Sequence, residues 1–215
     1  MRYTIVGFGD SITEAVVKMP EENKRWLNVL KCKLGKAFPE DEFCVINAGV
    51  GGNSDREKMA RFEKDVLVHD PDFILLEFGG NNNDPNRPER RVSLDEAGEC
   101  LAKVKNGISA KTNIIVITFP PLIEEQHQYY GHEFFKNKGG LDASCERFRK
   151  LSRDFARANN LSLVDFGRKL KAKMKADAEN VYILPDGVHL TEKGNQELAE
   201  LVFLTLKDKI LIKEF

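Results

Sequence analysis

The chain has no apolar run approaching the ~20 residues that span a bilayer, no internal repeat, no low-complexity tract and no Gly/Ser linker. The first absence argues against a membrane helix, the others against a repeat array or a jointed pair of domains. Charge of one sign is missing too, since 33 Lys and Arg stand against 34 Asp and Glu for a net charge of -1. Such a balance gives no global electrostatic drive toward nucleic acid or an anionic membrane. The longest basic stretch, Arg168 to Lys175, spaces its charges like the wet side of an amphipathic helix. Cys32, Cys44, Cys100 and Cys145 are far apart and form no C-x-x-C pair. That leaves no local zinc or redox motif, only core or half-buried thiols. The opening Met1-Arg2-Tyr3-Thr4-Ile5-Val6 is too short and strand-like for a signal peptide. A cytoplasmic protein with reduced thiols is expected.

What is present suffices for one core. The 215 residues, 41% hydrophobic, fall below the roughly 250 to 300 at which cores split, so one domain over 1–215 is expected. Short apolar runs alternate with helical patterns. Tyr3–Val6, Phe43–Ile46, Phe73–Leu76, Ile114–Thr118 and Leu161–Val164 each suit a buried strand. Between them, Ser93 and Glu96 have capping-box spacing ahead of a stripe of Leu94, Leu101, Val104 and Ile108. Cys145, Phe148, Leu151 and Phe155 form a second stripe, and Leu198, Leu201 and Val202 mark a last helix after Thr191. This alternation predicts an α/β fold: a three-layer αβα, flavodoxin-like five-stranded parallel sheet with helices on both faces. Ligands of such folds sit beyond the carboxyl ends of the strands.

The residues expected at those ends are chemically suggestive. After the first strand comes Gly7-Phe8-Gly9-Asp10-Ser11. A serine on a strand-to-helix turn exposes its hydroxyl and places its N–H at a helix N-terminus; taken alone, Asp10 or Ser11 as a plain helix cap is the simpler reading. A dinucleotide-binding reading fails because position 12, where the third glycine is needed, is Ile. After the second strand, Asn47-Ala48-Gly49-Val50-Gly51-Gly52-Asn53-Ser54 could aim backbone N–H groups at a ligand or simply form a capped turn. After the third, Gly79-Gly80-Asn81-Asn82-Asn83-Asp84 could supply a side-chain donor or merely satisfy loop backbone. Near the C-terminus, Asp186 and His189 lie three apart in a Gly-containing turn. A carboxylate there can orient the imidazole and leave its other nitrogen free to take a serine proton.

In this order, Gly9-Asp10-Ser11-Ile12, Gly49-x-x-Gly52, Gly79-Gly80-Asn81-Asn82 and Asp186-x-x-His189 resemble the four blocks of the SGNH (GDSL-type) hydrolases, from residue 7 to about 195. The resemblance implies a serine esterase. Ser11 would be the nucleophile, His189 the base and then the acid, and Asp186 its orienting partner. Ser11, Gly52 and Asn81 would form the oxyanion hole, with Asp10, Asn82 and Asp84 as supports. No metal or organic cofactor is implied. Two positions depart from the family pattern: Ile12 replaces Leu, and Asn82 replaces the usual Asp, with Asp84 expected to take over part of its loop-holding role.

The connection between Phe119 and Leu141 carries Tyr129, Tyr130, His132, Phe134 and Phe135. These aromatics could wall a pocket or pack the loop onto the body, and long connections are often binding loops. His127 and His132 lack the close ligand pairing of a metal site, and His69 ends a helix. The expected substrate is a small acyl ester, with short acyl groups such as carbohydrate acetates preferred. A lysophospholipase or thioesterase of the same family is the alternative. A flavodoxin-like nucleotide-binding module lacks its phosphate loop here, and a hydrolase that binds without turnover would not need the full set of blocks. The helical surfaces leave room for a homodimer.

Overall fold

Runs rich in Ile, Val, Leu and Phe, buried on both faces, favour parallel strands. The computed structural model describes residues 1–16, 18–177 and 181–213, with side chains to residue 211. In it the five runs become β1 (Arg2–Gly9), β2 (Glu42–Gly49), β3 (Phe73–Glu77), β4 (Asn113–Ile117) and β5 (Ser162–Val164). They form one all-parallel sheet in the order β2-β1-β3-β4-β5. The helices are α1 (Ser11–Glu14), α2 (Trp26–Ala37), α3 (Asp55–Met59), α4 (Phe62–Asp65), α5 (Leu94–Gly107), α6 (Glu133–Lys136), α7 (Leu141–Ala158), α8 (Phe166–Ala176) and α9 (Glu192–Lys213).

The two-residue period of a strand sends neighbours to opposite faces. Ile5, Phe73, Leu75, Ile115 and Ile117 meet Leu27 and Leu30 of α2, Leu170 of α8 and Leu198 to Ile210 of α9. Val6, Phe8, Ile74, Leu76, Ile114 and Val116 meet Phe62 of α4, Leu101 and Val104 of α5 and Ala156 of α7. The chain thus leaves β1 toward one face and β3 toward the other. Their carboxyl ends form the switch point where such sheets open a crevice.

Three local expectations change. The strands β1 and β2 run on through the glycine blocks, pairing Gly7 with Asn47 and Gly9 with Gly49. A Cβ on Gly49 would collide with the backbone of Glu14 in α1; low strand propensity there reflects close packing, not a loop. Ser93 caps α5 by accepting the Glu96 N–H at 3.1 Å, but Glu96 turns its carboxylate to Arg56 instead of closing the box. The reciprocal box lies at Ser54 and Glu57 of α3. Finally, Cys32 is exposed rather than half-buried, while Cys100 and Cys145 are buried.

Candidate active site

Asp10 follows the last residue of β1 and caps α1, accepting the Ile12 N–H at 3.1 Å. That places Ser11 at the first helical position. Ser11 Oγ lies 3.1 Å from His189 Nε2, and His189 Nδ1 lies 2.9 Å from Asp186 Oδ2. The other carboxylate oxygen of Asp186 accepts the N–H groups of Val188 and His189, each at 3.0 Å. Burial works against ionising Asp186, but those N–H groups and the imidazole outweigh it and hold the carboxyl well below its ordinary range. Lys18 Nζ also approaches Asp186 Oδ2, at 3.2 Å.

Gly187 fits this turn for two reasons. Its φ is +74°, and a side chain there would strike the carbonyl of Ile123. The same contact brings the Phe119–Leu141 connection against the turn, and the Ile123 N–H donates to the Gly187 carbonyl at 2.9 Å.

Gly52 and Asn81 line the same cavity of about 510 Å³ as Ser11, Asp186 and His189. The Gly52 carbonyl accepts from Arg90 at 2.6 Å, and Arg90 also binds Glu57 of the capping box. Glu14 accepts the Gly51 N–H at 2.9 Å. Among the described residues, Asn81 Nδ2 makes only a long bond, 3.4 Å, to the Asn53 carbonyl.

Asn82 is buried and bonded twice to Asp55. Its Nδ2 donates to Asp55 Oδ2 at 2.7 Å, and its Oδ1 accepts the Asp55 N–H at 2.9 Å. Asp55 also accepts the Gly79 N–H at 2.8 Å. Asp55 thus shares in holding this loop, beside the part expected of Asp84. Asp84 accepts from Asn86 and Arg87 within the loop and from the Tyr129 hydroxyl, which ties the Phe119–Leu141 connection to it.

Beneath Ser11 lies a buried charge cluster that sequence reading missed. Lys58, wholly buried, sits 3.4 Å from both Asp10 and Asp55 and donates to the Glu77 carbonyl. Burial alone would lower its pKa; the carboxylates of Asp10, Asp55 and Glu77 outweigh that and raise it. Glu77 Oε2 accepts the Asp10 N–H at 3.1 Å and the Thr13 hydroxyl at 3.3 Å. Glu77 Oε1 has no hydrogen-bond partner among the described residues. Burial, then the Asp10 charge, pushes the Glu77 carboxyl up to about 8. The available signal was one carboxylate interrupting the run Phe73 to Phe78.

The aromatics of the connection divide between both expected roles. Phe135 packs with Phe119, Leu141 and Phe148, while Tyr129 and His127 line the cavity and Tyr130 is exposed. His127 and His132 each use Nδ1 to accept a backbone N–H, from Tyr129 and Phe134. Among the described residues, no group of three or more His, Cys, Asp or Glu could hold a metal, and no helix is long and apolar enough to cross a membrane.

A model of the GDSL-like lipase/acylhydrolase family matches residues 8–197. The chain belongs to that family. It is accordingly a hydrolase of carboxylic esters. The uncharacterized lipoprotein YqeF of Bacillus subtilis is 27% identical over 228 residues, covering 95% of this chain and 88% of YqeF. An acetylxylan esterase of Geobacillus stearothermophilus is 28% identical over 132 residues, 56% of this chain and 60% of that protein. The crystal structure of a lipase/acylhydrolase from Enterococcus faecalis superposes with a TM-score of 0.72 at 23% identity, covering 97% of each chain. The GDSL-like fold thus extends across the five-stranded sheet.

Proposed function

We propose that this GDSL-family chain is a serine esterase acting through an acyl-enzyme, with Ser11 as nucleophile, His189 as base and acid, and Asp186 as orienter. One observation carries the reading: Ser11 Oγ, His189 Nε2, His189 Nδ1 and Asp186 Oδ2 form an unbroken line of 3.1 Å and 2.9 Å contacts at the cavity floor. Serine becomes nucleophilic when a neighbouring base takes its proton. Ser11 Oγ bonds to the ester carbonyl carbon as its proton passes to His189 Nε2. The developing oxyanion takes N–H bonds from Ser11, Gly52 and Asn81, each worth about 3 kcal/mol in such sites. Asn81 would give up its 3.4 Å bond to the Asn53 carbonyl. The carbon–alkoxy bond then breaks, and the alkoxide leaves with the proton from His189. Water, deprotonated by the same nitrogen, releases the acid and restores Ser11.

A short acyl group on a polar alcohol suits the cavity, whose walls combine Asn83, Asp84, Arg87, Gln126 and Gln128 with Leu122, Leu141, Cys145 and Val188. The name of the Geobacillus relative points the same way. Carbohydrate acetates are therefore the favoured substrates, and one domain over 1–215, a cytoplasmic setting and independence of any cofactor belong to the same proposal. Hydrolysis of p-nitrophenyl acetate, butyrate, octanoate and palmitate tests the acyl preference. Fastest cleavage of acetate is expected; a maximum at octanoate or palmitate would move the substrate to lipids or thioesters.

A further inference from the structure

His127 does something the four blocks do not account for. It comes from the Phe119–Leu141 connection, is half-buried and lines the cavity beside Asp186 and His189. Its backbone is pressed against the catalytic turn, since a side chain on Gly187 would come within 3.1 Å of the His127 nitrogen. Its ring is fixed from one side: Nδ1 accepts the Tyr129 N–H at 3.0 Å, and the Tyr129 ring lies 5.1 Å away, centroid to centroid. An imidazole nitrogen that accepts a hydrogen bond carries no proton. The neutral ring must therefore hold its proton on Nε2. Burial, and then the nearby His189, lower the pKa of His127 against the opposing pull of Asp186 and Glu124, so the neutral form is the one favoured. Nε2 makes no hydrogen bond to the described residues.

The position decides what this donor can reach. In ester cleavage the alcohol must lie beside His189, which returns its proton, and away from the oxyanion donors Gly52 and Asn81. The Ile123–His127 segment packs on that His189 side, against Gly187.

We infer that His127 is a specificity-determining residue that donates a hydrogen bond from Nε2 to a hydroxyl or ether oxygen on the alcohol half of the ester. The inference rests on the esterase reading above and deepens it, because it selects polyhydroxylated alcohols over plain ones. A group held by one neutral hydrogen bond changes selectivity by roughly 3- to 10-fold.

Two substitutions separate the donor from the loop's architecture. His127→Asn puts an amide oxygen in reach of the Tyr129 N–H, as in an Asx turn, but removes the Nε2 donor. His127→Gln carries an N–H to the Nε2 position. The full chain is assayed on glyceryl monoacetate and on ethyl acetate, with p-nitrophenyl acetate as control. The native protein is expected to prefer the glyceryl ester in kcat/KM. His127→Asn should lose about 3- to 10-fold on that ester while the other two change by less than about twofold, and His127→Gln should recover most of the loss. Equal losses on all three esters by His127→Asn would show a structural role and overturn the inference. So would a native protein without preference, or a preference that His127→Asn retains. If the native protein cleaves none of the three, the short-acyl esterase reading fails, which is a separate result.

Discussion

Asn82 and Asp55 hold each other by two reciprocal hydrogen bonds, of 2.7 Å and 2.9 Å, in a place without solvent. This pair fastens the loop carrying Asn81 to the start of α3, directly after the loop carrying Gly52. Both expected oxyanion donors therefore share one anchor. The departure from the family's usual Asp has a reason here, since two carboxylates would meet at that contact.

It follows that Asn82→Asp, though it restores the family-like residue, should be harmful in this chain. The substitution removes the donor to Asp55 Oδ2 and buries a second carboxylate. A loss of about 2 kcal/mol or more is expected, read as a lower midpoint in urea unfolding, with a fall in kcat. A midpoint unchanged from the native protein would mean that the pair contributes nothing.

Glu77 makes stability depend on pH in a particular direction. Its folded pKa is raised above the ordinary carboxyl value, to about 8. A group shifted this way contributes fully below the ordinary carboxyl range, and the contribution is lost as pH rises through the folded value. Glu77→Gln keeps a neutral side chain able to accept the Asp10 N–H. Its stability should fall less than the native protein's between the ordinary carboxyl range and about pH 8. Parallel curves of urea midpoint against pH would contradict the assignment.

Gly187→Ala tests how finely the Asp186–His189 turn is placed. The residue needs φ of +74° and has no room for a Cβ beside the Ile123 carbonyl. Displacing such a turn by about 1 Å can cost on the order of 100-fold in rate. The expected result is a large drop in kcat with far-UV circular dichroism unchanged. Activity near the native level would show that the turn tolerates the shift.

The sheet was legible because the apolar runs are buried on both faces, and all five were located from the sequence to within a few residues. Ser11, Gly52, Asn81, Asp186 and His189 were picked out by four blocks whose order resembles one family, each block open to a plainer reading alone, and the structure gathers all five around one cavity. What escaped was tertiary. Lys58 pairs with Asp10 across 48 positions, and Glu77 meets Asp10 across 67. The pattern around Lys58 does not distinguish it from a solvated charge, and the apolar run around Glu77 shows its burial but not its partner. The strand ends were hidden for a different reason: Gly9 and Gly49 weaken strand propensity while allowing α1 to approach. The true capping box, at Ser54 and Glu57, was masked by the glycines before it.

The central claim is that Ser11 bonds to the substrate's acyl carbon. It is tested most directly by comparing kcat/KM for p-nitrophenyl acetate between the native protein and Ser11→Ala, with folding of both confirmed by thermal unfolding. The expected result is a loss of about 1,000-fold or more in the variant. A variant that turns over as fast as the native protein would place the reaction elsewhere in the molecule.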